Sequence, residues 1–168
     1  MSKSILTSIK IENWPALDLQ LWQTATNRGD FLEADGKAAH WSNATLLQVQ
    51  KGYSKWLFHL TAESVLPAQE LQAPIDRVNK KELRSYLERL NAQGLASQTV
   101  ASRIVDLTEA IRVMQPAADI TILRELSATM QQRAVPSRKK HARIKPPQEI
   151  WQACLEYMAV SYTHLRAH

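Results

Sequence analysis

Three groups of side chains have the types and spacing to do chemistry, and in each the chemistry is capture of an anion rather than bond-making. Gln48, Lys51, Lys55 and His59 recur at spacings of 3, 4 and 4, which places them on one side of a helix. Gln and Lys on such a face contact base edges and phosphates. The same four also suit an ordinary solvated face, and the pattern alone favours that reading. Ser97-Gln98-Thr99 opens a helical pattern, where free backbone N–H groups and hydroxyls can hold a phosphate. Plain N-capping by Ser97 would look identical. Arg103 stands at the margin of the apolar stripe that follows, placed to reach a phosphate or to lay its stem along the core. The third group is the basic strap Arg138-Lys139-Lys140-His141-Ala142-Arg143-Ile144-Lys145, whose five cations make six with Arg133, with no acid between them. Six cations able to release counterions favour a nonspecific nucleic-acid contact over a merely solubilising linker.

Catalytic arrangements are missing from the pattern. The chain has four glycines and no glycine-rich phosphate loop. His59, His141, His164 and His168 lack metal-ligand spacing, and His40 is isolated. The single cysteine, Cys154, excludes an internal disulfide and a multi-cysteine metal site. No metal or other cofactor is expected.

The groups need rigid elements to position them. Val100, Ile104, Leu107, Ile111 and Met114 make an apolar stripe roughly 80° wide on a helix that Pro116 ends. A preceding helix over 42–61 carries Leu46, Val49, Tyr53, Trp56, Leu57 and Leu60. Another begins at Asn79 with Glu82 three residues on, carries Leu83, Tyr86, Leu87 and Leu90, and stops at Gly94. A fourth, capped by Asp119, turns Ile120, Leu123, Leu126, Ser127 and Met130 inward and runs to about Ala134. None can bury its stripe alone, so the four are expected to pack together. Trp14, Trp22, Trp41, Trp56 and Trp151 read as core or boundary anchors.

The 168 residues divide by composition. Residues 1–40 read as an N-terminal arm with a short helix from Pro15, Leu17, Leu21 and Trp22 on one side. Residues 41–134 form the helical domain, 135–147 a basic linker, and 148–158 a last helix through Ile150, Trp151, Cys154, Leu155 and Met158. Residues 159–168 abandon the pattern, resemble translated sequencing-adaptor bases, and are expected to be a non-native tail. Of the net charge of +5, all lies in residues 133–168, which hold 7 basic and 2 acidic side chains. That placement points to a localised anionic partner. No apolar run approaches the roughly 20 residues of a membrane span, and no signal-peptide pattern is present, so the expected location is cytoplasmic.

Four runs of residues also resemble one family in order and spacing. Trp41 with Gly52-Tyr53-Ser54-Lys55-Trp56-Leu57, then Tyr86-Leu87-Glu88-Arg89-Leu90, then Thr99-Val100-Ala101-Ser102-Arg103-Ile104 is similar to the N-terminal core-binding, SAM-like domain of phage-integrase-type tyrosine recombinases. Ala110 to Pro116, Leu123-Arg124 and Pro136-Ser137-Arg138-Lys139-Lys140 resemble a bacterial integrase-like subgroup, and the likeness covers about residues 12–155. It implies an all-α, four-to-five-helix orthogonal bundle clamping one side of double-stranded DNA, with Thr45, Gln48, Lys51, Lys55, Thr99, Ser102 and Arg103 on its exposed faces. It also implies self-association of the intact parent on DNA, and a helix from Pro147 that begins a catalytic domain. The arginines, lysine, histidines and tyrosine that the family uses for catalysis are not matched: His164-Leu165-Arg166 is one residue short of the His-x-x-Arg box. Tyr157 and Tyr162 lack activating arginines. The expectation is a DNA-binding part of a recombinase that is no enzyme as it stands, with a helical protein-interaction or oligomerisation domain, or a stand-alone DNA-binding regulator, as the alternatives.

Overall fold

The computed structural model describes residues 8–63, 65–66, 71–135 and 147–165, the last seven of these for backbone only. Among the described residues there are six α-helices: α1 (Ala16–Thr26), α2 (Asn43–Ala62), α3 (Lys80–Ala92), α4 (Ser97–Met114), α5 (Thr121–Arg133) and α6 (Pro147–Leu165). No strand occurs among the described residues, and the fold is an all-α bundle as the periodicity predicts. One compact unit ends at Val135, and α6 belongs to a second.

Helix α4 is the axis of the first unit, against which α1, α2, α3 and α5 all pack. Val100, Ile104, Leu107, Ile111 and Met114 are buried as the stripe requires. Ala101, Asp106, Thr108, Ala110 and Val113 are buried too, so α4 is covered well beyond one face. A fully buried aliphatic side chain contributes roughly 1.5–3 kcal/mol, which makes this helix the main source of cohesion. Trp56, Tyr53, Leu57 and Leu60 of α2, Leu83, Tyr86 and Leu90 of α3, and Leu123 of α5 complete the core.

Local chemistry sets the helix ends. Ser42 accepts the Thr45 N–H at 3.2 Å. Asn79 accepts those of Lys81 and Glu82 at 3.0 Å each. Gly94 ends α3 at φ 65°, a left-handed conformation that suits glycine. Asp119 accepts the Thr121 N–H at 2.9 Å, although Ile120 holds the cap position of α5.

Residues 1–40 are not a separate arm along their described length. Helix α1 packs on α4 and buries Asp18, Trp22 and Ala25, a different set from the Leu17, Leu21 and Trp22 stripe expected. Leu17 and Leu21 stay half-buried. The physical reason is a polar anchor. Arg77, from a 3-10 turn at Pro74–Arg77, donates to both Asp18 carboxylate oxygens at 2.7 Å each, and the Tyr53 hydroxyl donates to Asp18 at 2.6 Å. All three side chains are fully buried. Burial and the Asp18 charge push the Tyr53 hydroxyl well above its ordinary value. Trp14 adds a second tie, its indole N–H donating to the Ser54 hydroxyl at 3.1 Å.

Candidate nucleic-acid interface

Helices α2 and α4 cross where α2 has no side chain to keep them apart. A Cβ on Gly52 would lie 2.9 Å from the Asp106 carboxyl carbon and would overlap the Asp106 Cβ, so glycine is required by the close approach. One turn earlier on α2, the Gln48 amide donates to Asp106 Oδ1 at 3.0 Å. One turn later, Lys55 shares a shallow depression with Arg103 of α4. The two helices therefore run in opposite senses past this point, and residues 48 positions apart in sequence meet on one surface.

The electrostatics of that surface follow from the crossing. The Lys55 ammonium is held below its ordinary value first by burial and then by Arg103, with Lys51 adding and Asp106 opposing. Burial pushes the Asp106 carboxyl above its ordinary value, against the Gln48 hydrogen bond and the Lys55 and Arg103 cations. Neither Lys55 nor Arg103 forms a salt bridge among the described residues.

The other expected site residues divide between those free to bind and those already engaged. Lys51 is exposed and Thr45 is exposed, but the Thr45 hydroxyl lies 3.0 Å from the Ser42 hydroxyl within the α2 cap. Ser97 does not cap α4: Ala96 holds that position without a side-chain bond. The Ser97 hydroxyl instead accepts the Val135 N–H at 2.9 Å, which ties the start of α4 to the chain just ahead of the strap. Thr99 is half-buried, and Ser102 donates back to the Gln98 carbonyl at 2.9 Å. Arg138, Lys139, Lys140, Arg143 and Lys145 lie outside the described residues.

His59 is a correction. The helical wheel sets it opposite the α2 stripe, yet it is 1% exposed, because α3 covers that side of α2. Its ring lies 5.1 Å from that of Tyr86 and 5.7 Å from that of Trp56. Burial, with the Arg89 cation, holds the imidazole below its ordinary value against the carboxylates of Glu63 and Glu82 and the Glu82 backbone. That backbone group helps the imidazolium electrostatically but falls short of hydrogen-bond geometry. Neither ring nitrogen has a hydrogen-bond partner among the described residues, nor does the Tyr86 hydroxyl. An unsatisfied buried group of this kind costs about 1–3 kcal/mol. Burial drives the Tyr86 phenol up to about 12.

Sequence reasoning missed Arg89, whose guanidinium sits 5.1 Å over the Phe58 ring beside the same depression. Its spacing from Tyr86 on α3 was visible, but nothing in the chain showed that this face of α3 looks onto Lys55 and Arg103.

No protein-family model, curated protein or solved structure matches this chain. Among the described residues, no group of three or more His, Cys, Asp or Glu side chains stands together to hold a metal ion. None of the described helices is long and apolar enough to cross a membrane.

Proposed function

We propose that the bundle binds double-stranded DNA through the α2–α4 surface, as the core-binding part of a site-specific tyrosine recombinase would in DNA integration or recombination. The observation that carries this reading is the convergence of Lys55 and Arg103, two cations on separate helices with, among the described residues, no carboxylate neutralising either in a salt bridge. Lys51, Lys55 and Arg103 contact phosphates and set register. Gln48 has its amide N–H committed to Asp106, which fixes the group and leaves its carbonyl oxygen to accept from an exocyclic base amine. The strap adds phosphate contacts that carry little sequence information. Tyr157 and Tyr162 receive no catalytic role.

Fluorescence-anisotropy titration of a labelled duplex at several salt concentrations tests the proposal. Binding should weaken as salt rises, with a slope of log K against log salt of about −0.9 per phosphate contact. Replacing Lys51, Lys55 and Arg103 with Gln together should flatten that slope by roughly 2.7. An equal slope in the variant refutes the proposed surface.

A helical protein-interaction domain is the second reading, and α6 is the observation that favours it. Ile150, Trp151, Leu155, Tyr157 and Met158 are all exposed on that helix. Salt-insensitive self-association without duplex binding would put this reading first.

A further inference from the structure

The depression between α2, α3 and the start of α4 has a volume of about 180 Å³ and is built from an unusual set of groups. Its rim takes one cation from each helix: Lys55, Arg89 and Arg103. Among the described residues no carboxylate lines it, and none of the three cations forms a salt bridge. Its deep side takes in Tyr86 and His59, which are 2% and 1% exposed. The Tyr86 hydroxyl and both His59 ring nitrogens have no hydrogen-bond partner among the described residues. Cations that repel one another and a buried hydroxyl without a partner are each unfavourable in the empty protein. One ligand relieves both if it is anionic and accepts hydrogen bonds on several sides.

We infer that this depression is a seat for a single phosphate group, with Lys55, Arg89 and Arg103 around it and the Tyr86 hydroxyl donating from below. The donors approach from three helices, which suits a tetrahedral oxyanion with several acceptor oxygens better than a flat carboxylate with two. The seat extends the proposed DNA surface and rests on that reading for the source of its phosphate, the duplex backbone. A free phosphate monoester offers the same chemistry from another source. The charged groups around the seat are Asp106, held by Gln48 behind Lys55 and Arg103, and Glu63 and Glu82 toward His59.

The test uses the whole 168-residue chain. Thermal melting and isothermal titration with inorganic phosphate are compared with chloride at equal ionic strength. Phosphate should bind saturably and raise the melting temperature above the chloride reference. Arg89→Gln, on a half-buried surface residue, should weaken phosphate about tenfold, the loss of one charge-assisted hydrogen bond. Tyr86→Phe should leave the phosphate-free melting temperature unchanged or higher, and should lose much of the phosphate-dependent rise. Phosphate and chloride behaving alike, or an affinity untouched in both Arg89→Gln and Arg103→Gln, overturns the seat. A duplex arm then fixes the source. Weaker duplex binding in Arg89→Gln supports a backbone phosphate. Phosphate binding lost in Arg89→Gln without any duplex binding keeps the seat, assigns it to a free monoester and removes the DNA reading. Duplex binding with no specific phosphate binding removes the seat and leaves the DNA reading standing.

Discussion

Gly52 of α2 abuts Asp106 of α4 so closely that no Cβ fits between them, and this contact sets where Gln48, Lys55 and Arg103 stand. In an unconstrained helix, replacing Gly with Ala gains roughly 0.5–1 kcal/mol. Here the added methyl forces the helices apart, and overpacking of a tight contact costs about 1–3 kcal/mol. Gly52→Ala is therefore expected to be net destabilising in urea melts and to weaken duplex binding. A variant more stable than the parent would show that the helices do not meet this tightly.

The buried Asp18–Arg77 pair should be far more sensitive to losing one partner than to losing both. Arg77→Met leaves the Asp18 carboxylate buried without its bidentate partner, which costs about 3–5 kcal/mol. Asp18→Leu combined with Arg77→Met should recover a large part of that loss. Chemical denaturation of the single and double variants measures this. Additive losses would mean the pair does not act as a unit.

The helices were legible because each carries a stripe at helical spacing and a chemically marked end. The pattern placed α2 at 42–61 where the structure has Asn43–Ala62, and it located Asn79 and Gly94 at the two ends of α3. Packing on a second side was not legible. A wheel drawn for α2 alone gives His59 to solvent, and only the arrival of α3 buries it. Asp18 and Arg77 lie 59 residues apart, so no local pattern announces their ion pair, and the sequence alone shows α1 only as part of an arm. Of the candidate site, Lys55 is legible on the polar face of α2 and Arg103 at the margin of the apolar stripe of α4. Their meeting beside Arg89 and Tyr86 depends on helix crossings that a one-dimensional reading does not contain.

His59 gives the fold an acid-sensitive point. Its folded pKa is depressed by burial, so the unfolded chain takes up the proton first. The stability it contributes is complete above the unfolded value of roughly 6.5 and falls as pH drops below that. In phosphate-free buffer, His59→Phe should lose less stability than the parent between about pH 6.5 and 5. Parallel curves for the two proteins would contradict the burial of an unpartnered imidazole.

The strap should act through charge alone. Changing Arg138, Lys139 and Lys140 to Gln is expected to weaken binding to all duplexes alike and to reduce the salt slope by up to about 2.7. Gln48→Ala should instead narrow the difference in affinity between duplex sequences, with little change in slope. Anisotropy titrations over several duplexes separate the two effects. A strap variant with altered sequence preference and an unchanged slope would reverse the assignment.

Whether duplex DNA lies on the α2–α4 surface is read out by hydrogen–deuterium exchange of the full chain with and without a saturating duplex. Exchange should slow at residues 45–55 of α2, around Arg89 of α3 and at 97–103 at the start of α4, with the body of α5 unchanged. Protection on α5 or α6 with none on α2 or α4, or no duplex-dependent protection anywhere, would contradict that placement.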